Sequence, residues 1–301
     1  MTRASALPDG VRSEVERALG PIRSLQPVGG GSISRAWRVE MADGTAFLKH
    51  HAAAPAEMFA AEADGLRALR SAAGGHLRIP DVLSVGEAAG EGEGCGGWIA
   101  LEWLEPAPAG TEHAERLGRG LAAVHRNGGG GWGWERDNWI GSLPQDNRPG
   151  ATWPEFWRAR RLAPQLALAR RSGRLPGMET EWDRLFDGLP ELLKAGDDDG
   201  PSLLHGDLWS GNALSTDAGP AIIDPAVYRG HREADLAMAE LFGGFDPRFF
   251  AAYEEAWPLA PGCREHRRGI YQLYYLLVHV NLFGGAYVSQ TVDVLHRLLS
   301  A

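Results

Sequence analysis

The stretch HGDLWSGN, at residues 205–212, gathers a histidine, an aspartate, a tryptophan, glycines and an asparagine in one short segment. It follows the short apolar run Leu203-Leu204. Turn chemistry accounts for the Ser-Gly-Asn part of the segment, but it does not require Asp207 five residues before Asn212. The segment is therefore either an ordinary turn or a loop that holds a base and a metal.

The next segment, ALSTDAGPAIID at residues 213–224, predicts two short strands joined at a Gly-Pro turn. Such a hairpin returns Asp224 to the neighbourhood of Asn212. Carboxylate and amide oxygens that converge in this way, together with phosphate oxygens, are typical ligands of Mg²⁺. We therefore expect Asn212 and Asp224 to bind Mg²⁺, and Asp207 to accept the proton of an attacking hydroxyl in a phosphoryl transfer.

Three features nearer the N-terminus occur in the order that a kinase requires. The segment GGGSIS at residues 29–34 lies between predicted strands, Lys49 ends the strand segment TAFLK, and Glu62 lies in a helix predicted at 55–70. Lys49 is expected to reach the α- and β-phosphates of ATP, and Glu62 to hold it extended. Taken singly, the Gly-rich segment is more simply interpreted as a turn, Lys49 as a strand end and Glu62 as part of an exposed helix face. The occurrence of all three in this order is hard to assign to chance. The residues whose amides would cover the phosphates are Gly29, Gly30, Gly31 and Ser32.

The segment LEWLE, at residues 101–105, falls where a β-rich part of the sequence gives way to a helical part. In a kinase this position meets the purine through its backbone, here through the carbonyl of Glu102 and the amide of Leu104. The predicted fold class is α+β, a bilobal kinase-like fold. Its smaller β-rich lobe is expected at residues 1–104 and its larger, mainly α-helical lobe at 105–301. A hairpin turn is predicted at Asp43-Gly44.

Other features separate this sequence from eukaryotic-type protein kinases. Gly206 stands where those enzymes have an arginine, and Pro225-Ala226 follows the expected metal ligand in place of Phe-Gly. The helix predicted at READLA begins soon afterwards, so a mobile activation loop has little room. These features favour a constitutively assembled kinase that acts on a small or surface-attached group.

Composition narrows the class of protein further. The formal net charge is −9 and no basic run occurs, so nucleic acid is not expected as a partner. No apolar stretch suits a membrane span and no secretory leader is recognised, so a membrane partner is not expected. Cys95 and Cys263 are the only cysteines, which fits a reducing cytoplasm. Nothing in the sequence sets the oligomeric state, for which a monomer is slightly favoured.

Several long motifs closely resemble those of the fructosamine kinases, also called ketosamine-3-kinases. They span residues 25–290 and include LLHGDLWSGN, DPAVYRGHREADLAM, LFGGF, YQLYYLLVHVNLFGGAY, DNWIGSLPQDN and FWRARRLAPQL. The resemblance implies ATP-dependent phosphorylation of the sugar 3-hydroxyl of ketosamines such as fructosyl- or ribulosyl-lysine. Loss of the 3-phosphate by elimination would then free the amine, which amounts to deglycation and repair.

Carried over by position, the resemblance implies the same roles for Asp207, Asn212, Asp224, Lys49 and Glu62. It also implies that Asp235, with His205, supports the catalytic loop from behind. The family often has cysteine after the three glycines, where this sequence has Ser32, so thiol-based control through that loop is not expected.

Substrate contacts are more open. Trp209 either stacks on the sugar or packs under the loop, and His279 and Asn281 either reach the cleft from a C-terminal helix or belong to the core. The segment at 137–147 either lines the entrance or caps a loop. Two other functions remain open at this point. One is a kinase of the same fold that acts on an aminoglycoside, choline or a sugar. The other is a nucleotide-binding pseudokinase, which the intact Asp207 and Asp224 disfavour.

Overall fold

The computed structural model describes residues 6–29, 34–55, 57–88 and 96–300. The order of elements is mixed in the first third of the chain and mainly helical after it. The α-helices are Asp9–Leu19 (α1), Met58–Ala73 (α2), His113–Arg126 (α3), Trp153–Phe156 (α4), Ala163–Arg171 (α5), Glu179–Leu192 (α6), Lys194–Asp199 (α7), Glu233–Leu241 (α8), Pro247–Ala256 (α9), Arg268–Phe283 (α10) and Ala286–Ser300 (α11). The strands are Ile22–Val28 (β1), Arg35–Met41 (β2), Gly44–His51 (β3), Val82–Ala88 (β4), Gly96–Glu102 (β5), Asn138–Ile140 (β6), Leu143–Gln145 (β7), Ser202–Leu204 (β8), Ala213–Thr216 (β9), Gly219–Ile222 (β10) and Tyr228–Gly230 (β11).

The first five strands form one antiparallel sheet in the order β1-β2-β3-β5-β4. In β3 the side chains alternate between buried and partly exposed positions, as expected of a strand that meets a core on one face. The turn between β2 and β3 lies one residue earlier than predicted. Met41 pairs with Gly44, so the two-residue turn is Ala42-Asp43 and not Asp43-Gly44.

Helices cover both faces of this sheet. Val11 and Val15 of α1 lie in a buried cluster with Trp37 and Leu48 on one face. On the other face, α2 contributes Phe59, Leu66 and Leu69 to a cluster that also holds residues of α3 and β8. The second cluster therefore joins the sheet to the helical part of the chain, which carries the catalytic loop.

The helical part is built around α10, which packs against α5, α8 and α11. An aromatic group fills its centre, in which Trp157 meets Tyr271 edge-on at 5.0 Å between ring centroids. Two short strand pairs, β8 with β11 and β9 with β10, lie within this part and carry the catalytic loop. The rigid helical core therefore supports the loops on which the site depends.

The α+β, kinase-like fold class is confirmed. A five-stranded antiparallel sheet comes first and a mainly helical region follows. The lobe boundary after residue 104 stays a prediction, although it falls between β5, which ends at Glu102, and α3, which begins at His113. Within the described ranges, no helix combines the length and the apolar character needed to cross a bilayer.

Candidate active site

The catalytic loop begins where β8 ends. Gly206 has a φ of +83°, in the left-handed region, and a Cβ atom there would lie 2.0 Å from the carbonyl oxygen of Ala226. The amide of Ala226 in turn donates to the carbonyl of His205 at 2.8 Å. Only glycine fits this close approach, which explains why the position before Asp207 cannot hold the arginine of protein kinases.

Asp235, on the buried first turn of α8, supports this loop. Its carboxylate accepts hydrogen bonds from the backbone amides of His205 at 2.7 Å and Gly206 at 2.9 Å. It also lies 3.1 Å from Nε2 of the buried His125. Asp235 thus contacts the loop in the way that the resemblance implied, through backbone amides on the side away from the cavity.

His205 fixes the loop from within. Burial lowers the pKa of His205, so its imidazole is neutral near pH 7. Its Nε2 atom lies 2.8 Å from the carbonyl of Ile223 and must carry the proton, since a carbonyl can only accept. Its Nδ1 atom then accepts from the amide of Asp207 at 3.3 Å. The imidazole therefore ties the segment before Asp207 to the segment before Asp224.

The hairpin predicted after the catalytic loop is present and brings the oxygen-bearing side chains together. β9 pairs with β10, and the amide of Ile223 donates to the carbonyl of Asn212 at 3.0 Å. The Nδ2 atom of Asn212 lies 2.9 Å from the carbonyl of Asp207 and 3.4 Å from that of Asp224. Asp224 has a φ of +54°, which is uncommon for a residue with a side chain and often marks a functional constraint.

Lys49 joins this group to the sheet. Its Nζ atom lies 2.9 Å from Oε2 of Glu62 on α2 and 3.0 Å from Oδ1 of Asp224. The burial of Lys49 opposes its charge, but the carboxylates of Asp224 and Glu62 outweigh that effect and raise its pKa. Burial likewise raises the pKa of Glu62, against the attraction of Lys49. The predicted pair is therefore present, together with a third partner that the sequence did not indicate.

The electrostatics of the site favour a base at Asp207. Burial, together with the negative charges of Asp224 and Asp235, raises the pKa of Asp207 to about 7. A carboxylate with such a pKa can accept and release a proton near neutral pH. Asp207 thus combines the position and the pKa that general-base chemistry requires.

These residues surround one cavity of about 860 Å³. The lining includes Gly29, Lys49, Glu102 and Leu104, together with side chains of α8, α10 and α11. Of the residues predicted from sequence, those that line the cavity are Gly29, Lys49, Glu62, Glu102, Leu104, Asp207, Trp209, Asn212, Asp224 and His279. Gly30, Gly31 and Ser32 lie outside the described residues.

Glu102 sits at the predicted hinge with its carboxylate already engaged. The side chain accepts from Nη2 of Arg78 at 2.5 Å and from the amide of Asp81 at 3.1 Å. This carboxylate therefore anchors the end of β5 to the chain before β4, and the purine contact through the Glu102 carbonyl and the Leu104 amide stays a prediction. Trp103 and Leu104 continue the lining beyond it.

The expectation that Asn281 reaches the cleft is wrong. Its Nδ2 atom donates to the carbonyl and to Oε1 of Gln165, at 2.9 and 2.8 Å, and it is not among the lining residues. The reason is helical geometry, because residues two apart on α10 point about 200° apart. His279, Leu282 and Phe283 share the cavity face, and Asn281 faces α5.

The segment at 137–147 has a part in the site that sequence reasoning missed. Asn138, Trp139 and Ile140 line the cavity. Three buried amide side chains form what we call the amide relay, defined as Asn138, Gln145 and Asn147. Asn138 donates to the carbonyl of Val227 at 2.8 Å, and Gln145 donates to that of Ala226 at 3.2 Å. The relay therefore fixes the backbone just after Asp224.

The relay is itself anchored on the helical core. Asn147 donates to Oδ1 of Asn138 at 2.9 Å, and Gln145 donates to the same oxygen at 2.8 Å. Arg161 donates to Asn147 at 2.7 Å, and the hydroxyl of Tyr274 donates to Oε1 of Gln145 at 2.6 Å. In the sequence, the only sign of the relay is that three amide residues occur close together at 138–147. The backbone carbonyls to which Asn138 and Gln145 donate lie more than 80 positions away along the chain.

The helix that carries Glu62 rests directly on this fixed segment. Gly65, one turn after Glu62, lies so close to Val227 that a Cβ atom would approach its Cγ2 atom to 2.9 Å. Arg136, just before the relay, donates to the carboxylate of Asp64 at 2.7 Å. The chain around Asp224 and the helix around Glu62 are thus held in one assembly.

A divalent cation fits the donor set as far as the protein supplies it. Asn212 and Asp224 offer the amide and carboxylate oxygens that Mg²⁺ prefers. Within the described ranges, no group of three or more His, Cys, Asp or Glu side chains forms a metal site by itself. Further oxygens would have to come from nucleotide phosphates and water, as is usual for Mg²⁺ in kinases.

The sequence matches the fructosamine kinase family over residues 10–301. The chain belongs to the fructosamine kinase family. A probable ketoamine kinase of Synechocystis is 40% identical over 281 residues, which cover 92% of this chain and 91% of that protein. A chloroplastic protein-ribulosamine 3-kinase of Arabidopsis thaliana is 37% identical, over 92% of this chain and 83% of that protein. This fructosamine kinase family member is accordingly an ATP-dependent kinase.

Solved structures agree with this assignment. A Thermobifida fusca protein described as a fructosamine-3-kinase superposes with a TM-score of 0.84 at 40% identity, covering 97% of this chain and 99% of its own. An aminoglycoside phosphotransferase, solved with AMP-PNP and hygromycin B, superposes with a TM-score of 0.63 at 19% identity, covering 97% of both chains. The second likeness concerns the fold alone, which it identifies as that of the kinase-like phosphotransferases.

Proposed function

We propose that this chain transfers the γ-phosphoryl group of Mg·ATP to the sugar 3-hydroxyl of a ketosamine, such as a fructosyl or ribulosyl adduct of lysine. The observation that carries the proposal is Asp207, whose pKa is raised to about 7 within a cavity shared with Lys49 and Asp224. Family membership supplies the acceptor class, and the cavity supports a small acceptor or one attached at a protein surface.

In this proposal the residues divide the reaction between them. Lys49, held by Glu62, binds the α- and β-phosphates and gives up its contact with Asp224 when the nucleotide arrives. Asn212 and Asp224 hold Mg²⁺, which, when bound, neutralises charge on the phosphate oxygens. Asp207 accepts the proton of the 3-hydroxyl. The hydroxyl oxygen forms the new bond to the γ-phosphorus, and the bond from that phosphorus to ADP breaks. Trp209, 38% exposed at the cavity, presents an aromatic face to the sugar.

The product of this step is a ketosamine 3-phosphate. Loss of a proton from C1, next to the C2 carbonyl, allows the 3-phosphate to leave by β-elimination, and water then hydrolyses the resulting imine to release the free amine and a deoxy dicarbonyl sugar. The proposed role is therefore the removal of sugar adducts from amines. Catalysis ends at phosphoryl transfer, so the cavity needs groups for that step alone.

The test is ATP consumption by the purified chain with Mg²⁺ and a panel of acceptors. Fructosyl-lysine and ribulosyl-lysine should support turnover, and ³¹P and ¹H NMR of the product should place the phosphate on the 3-oxygen. Hygromycin B and choline serve as control acceptors. Turnover with either control and none with any ketosamine would contradict the proposed acceptor and leave phosphoryl transfer standing.

A further inference from the structure

One part of the cavity wall is formed by aromatic rings. We call these residues the aromatic rim: Phe242, His279, Phe283 and Tyr287, all of which line the cavity. The imidazole of His279 lies at their centre, with ring centroids 4.6 Å from Phe242, 4.9 Å from Tyr287 and 5.6 Å from Phe283.

The rim is continuous with the catalytic loop. Trp209 follows Asp207 by two residues, and its ring lies over Gly211, where a Cβ atom would come within 2.1 Å of it. The loop after α8, which begins at Phe242, packs on the same segment, because a Cβ atom on Gly244 would lie 2.4 Å from Oγ of Ser210. The rim therefore lies beside the loop that carries Asp207, within the same cavity.

The chemistry of the rim is apolar and uncharged. From residue 225 onward, the described residues that line the cavity include no Asp, Glu, Lys or Arg side chain. Burial lowers the pKa of His279, and its Nδ1 atom lies 2.8 Å from the carbonyl of Tyr275, so the neutral ring keeps its proton there. The Nε2 atom is then a hydrogen-bond acceptor among hydrocarbon surfaces.

The rings are also unusually accessible for their size. Phe283 is 54% exposed and Phe242 is 37% exposed, and both belong to the few large apolar side chains with such exposure among the described residues. Large apolar side chains gathered at the open end of a cavity are typical of ligand-binding sites. The exposure of these apolar side chains to water is unfavourable, and a ligand that covers them removes this unfavourable free energy.

We propose that the aromatic rim is the subsite for the hydrocarbon part of the amine that carries the sugar, and that it makes this kinase select ketosamines of alkyl and aromatic amines. The inference rests on the proposed function for the direction in which the acceptor lies. In a lysine adduct the methylene chain occupies the rim. In a benzylamine adduct the ring does so, by stacking or by edge-to-face contact.

The experiment compares fructose adducts of methylamine, butylamine and benzylamine as acceptors for the full chain at saturating Mg·ATP. We expect kcat/KM to rise along the series, by about tenfold or more between the methylamine and benzylamine adducts, because more apolar surface is buried. Phe283→Ala and Phe242→Ala should each lower the ratio of kcat/KM for the benzylamine adduct to kcat/KM for the methylamine adduct towards one. Leu83→Ala is the matched control, since Leu83 is 43% exposed on β4 and does not line the cavity, and it should preserve the ratio.

A binding measurement separates this inference from the proposed function. Calorimetric titration of the same adducts into the enzyme with Mg·AMP-PNP should give the same order of Kd values and the same loss of the ratio in Phe283→Ala. Tighter binding of the benzylamine adduct without any phosphorylation would support the subsite and overturn the proposed reaction. Equal Kd values along the series, or a ratio that survives both phenylalanine variants, would overturn the subsite.

Discussion

The Nζ atom of Lys49 lies 3.0 Å from Oδ1 of Asp224, a residue 175 positions later in the chain. Because the same nitrogen also contacts Glu62, one cation is shared by two carboxylates. Nucleotide phosphates and Mg²⁺ would relieve this sharing, since the phosphates offer Lys49 new partners and the metal offers Asp224 one. The arrangement is therefore a resting state that is poised to receive Mg·ATP.

Lys49 and Glu62 should act as a single unit. We expect Lys49→Met and Glu62→Gln each to lower kcat/KM for ATP. The double variant should lose less than the sum of the two losses, with a coupling free energy of roughly 0.5–3 kcal/mol. Steady-state kinetics of the wild type, the two single variants and the double variant completes this double-mutant cycle. Strictly additive losses would mean that the contact does not matter for catalysis. Arg67→Met, on an exposed pair with Asp64, is the control.

Asp207→Asn should lower kcat by about 10²–10⁴-fold, because the amide keeps the size of the side chain but cannot accept the hydroxyl proton. The Kd for Mg·ATP should change little. Asp217→Asn is the matched control, since Asp217 is exposed in the turn between β9 and β10, and it should behave as wild type. An Asp207→Asn enzyme with near wild-type turnover would remove Asp207 from the reaction.

The same variant should be more stable than wild type at alkaline pH. A carboxyl with an ordinary pKa of 3.8 when unfolded and about 7 when folded binds more protons in the folded state between those values. Stability is therefore lost as pH rises from about 4 to 7, and Asp207→Asn should recover up to roughly 4 kcal/mol at pH 8 and little at pH 4. Thermal unfolding in EDTA at both values measures this difference. Equal Tm shifts at the two pH values would contradict the raised pKa.

Asp224→Asn should weaken the binding of Mg·ATP more than that of metal-free ATP, because a charged ligand of the metal is lost. We expect about a tenfold or larger rise in the Kd for Mg·ATP, which corresponds to about 1.4 kcal/mol. Titration calorimetry with and without Mg²⁺ provides the comparison. If the two Kd values rise by the same factor, Asp224 acts through Lys49 and not through a metal.

Gly65→Ala tests the contact between α2 and the segment after Asp224. In a helix interior this substitution normally stabilises by about 1 kcal/mol, but here the new methyl group would press on Val227. We expect reduced stability and a higher KM for ATP, with recovery in the double variant Gly65→Ala/Val227→Ala. Gly188→Ala is the control within a helix, because its nearest neighbour is a leucine side chain at 3.3 Å. No recovery in the double variant would place the effect elsewhere.

Local patterns allowed much of the site to be predicted. The hairpin after the catalytic loop follows from two apolar runs around a turn, and this local geometry brings Asp224 back to Asn212 without any knowledge of the rest of the fold. The pair of Lys49 and Glu62 followed from the order of motifs, since a strand-end lysine and the next helix are neighbours in this architecture.

What escaped prediction depends on contacts between distant segments. The amide relay is composed of side chains whose acceptors are backbone carbonyls, so no complementary residue type in the sequence marks them. The raised pKa of Asp207 is caused first by burial and then by the charges of Asp224 and Asp235, and the local sequence pattern indicates only the nearness of Asp224. Asn281 failed for a simpler reason, because the face of α10 that meets the cavity was not known.

The short connection between Asp224 and α8 has a consequence for control of the enzyme. Residues 225–232 include the strand β11, are almost entirely buried, and are tied down by backbone hydrogen bonds and by the amide relay. Within this segment the only side-chain hydroxyl, that of Tyr228, is buried and so is not accessible to phosphorylation. The hydrogen bonds of the backbone also hold the segment in one position. We therefore expect the rate of this kinase to follow the supply of its substrates, with no on–off switch operated by modification of this segment.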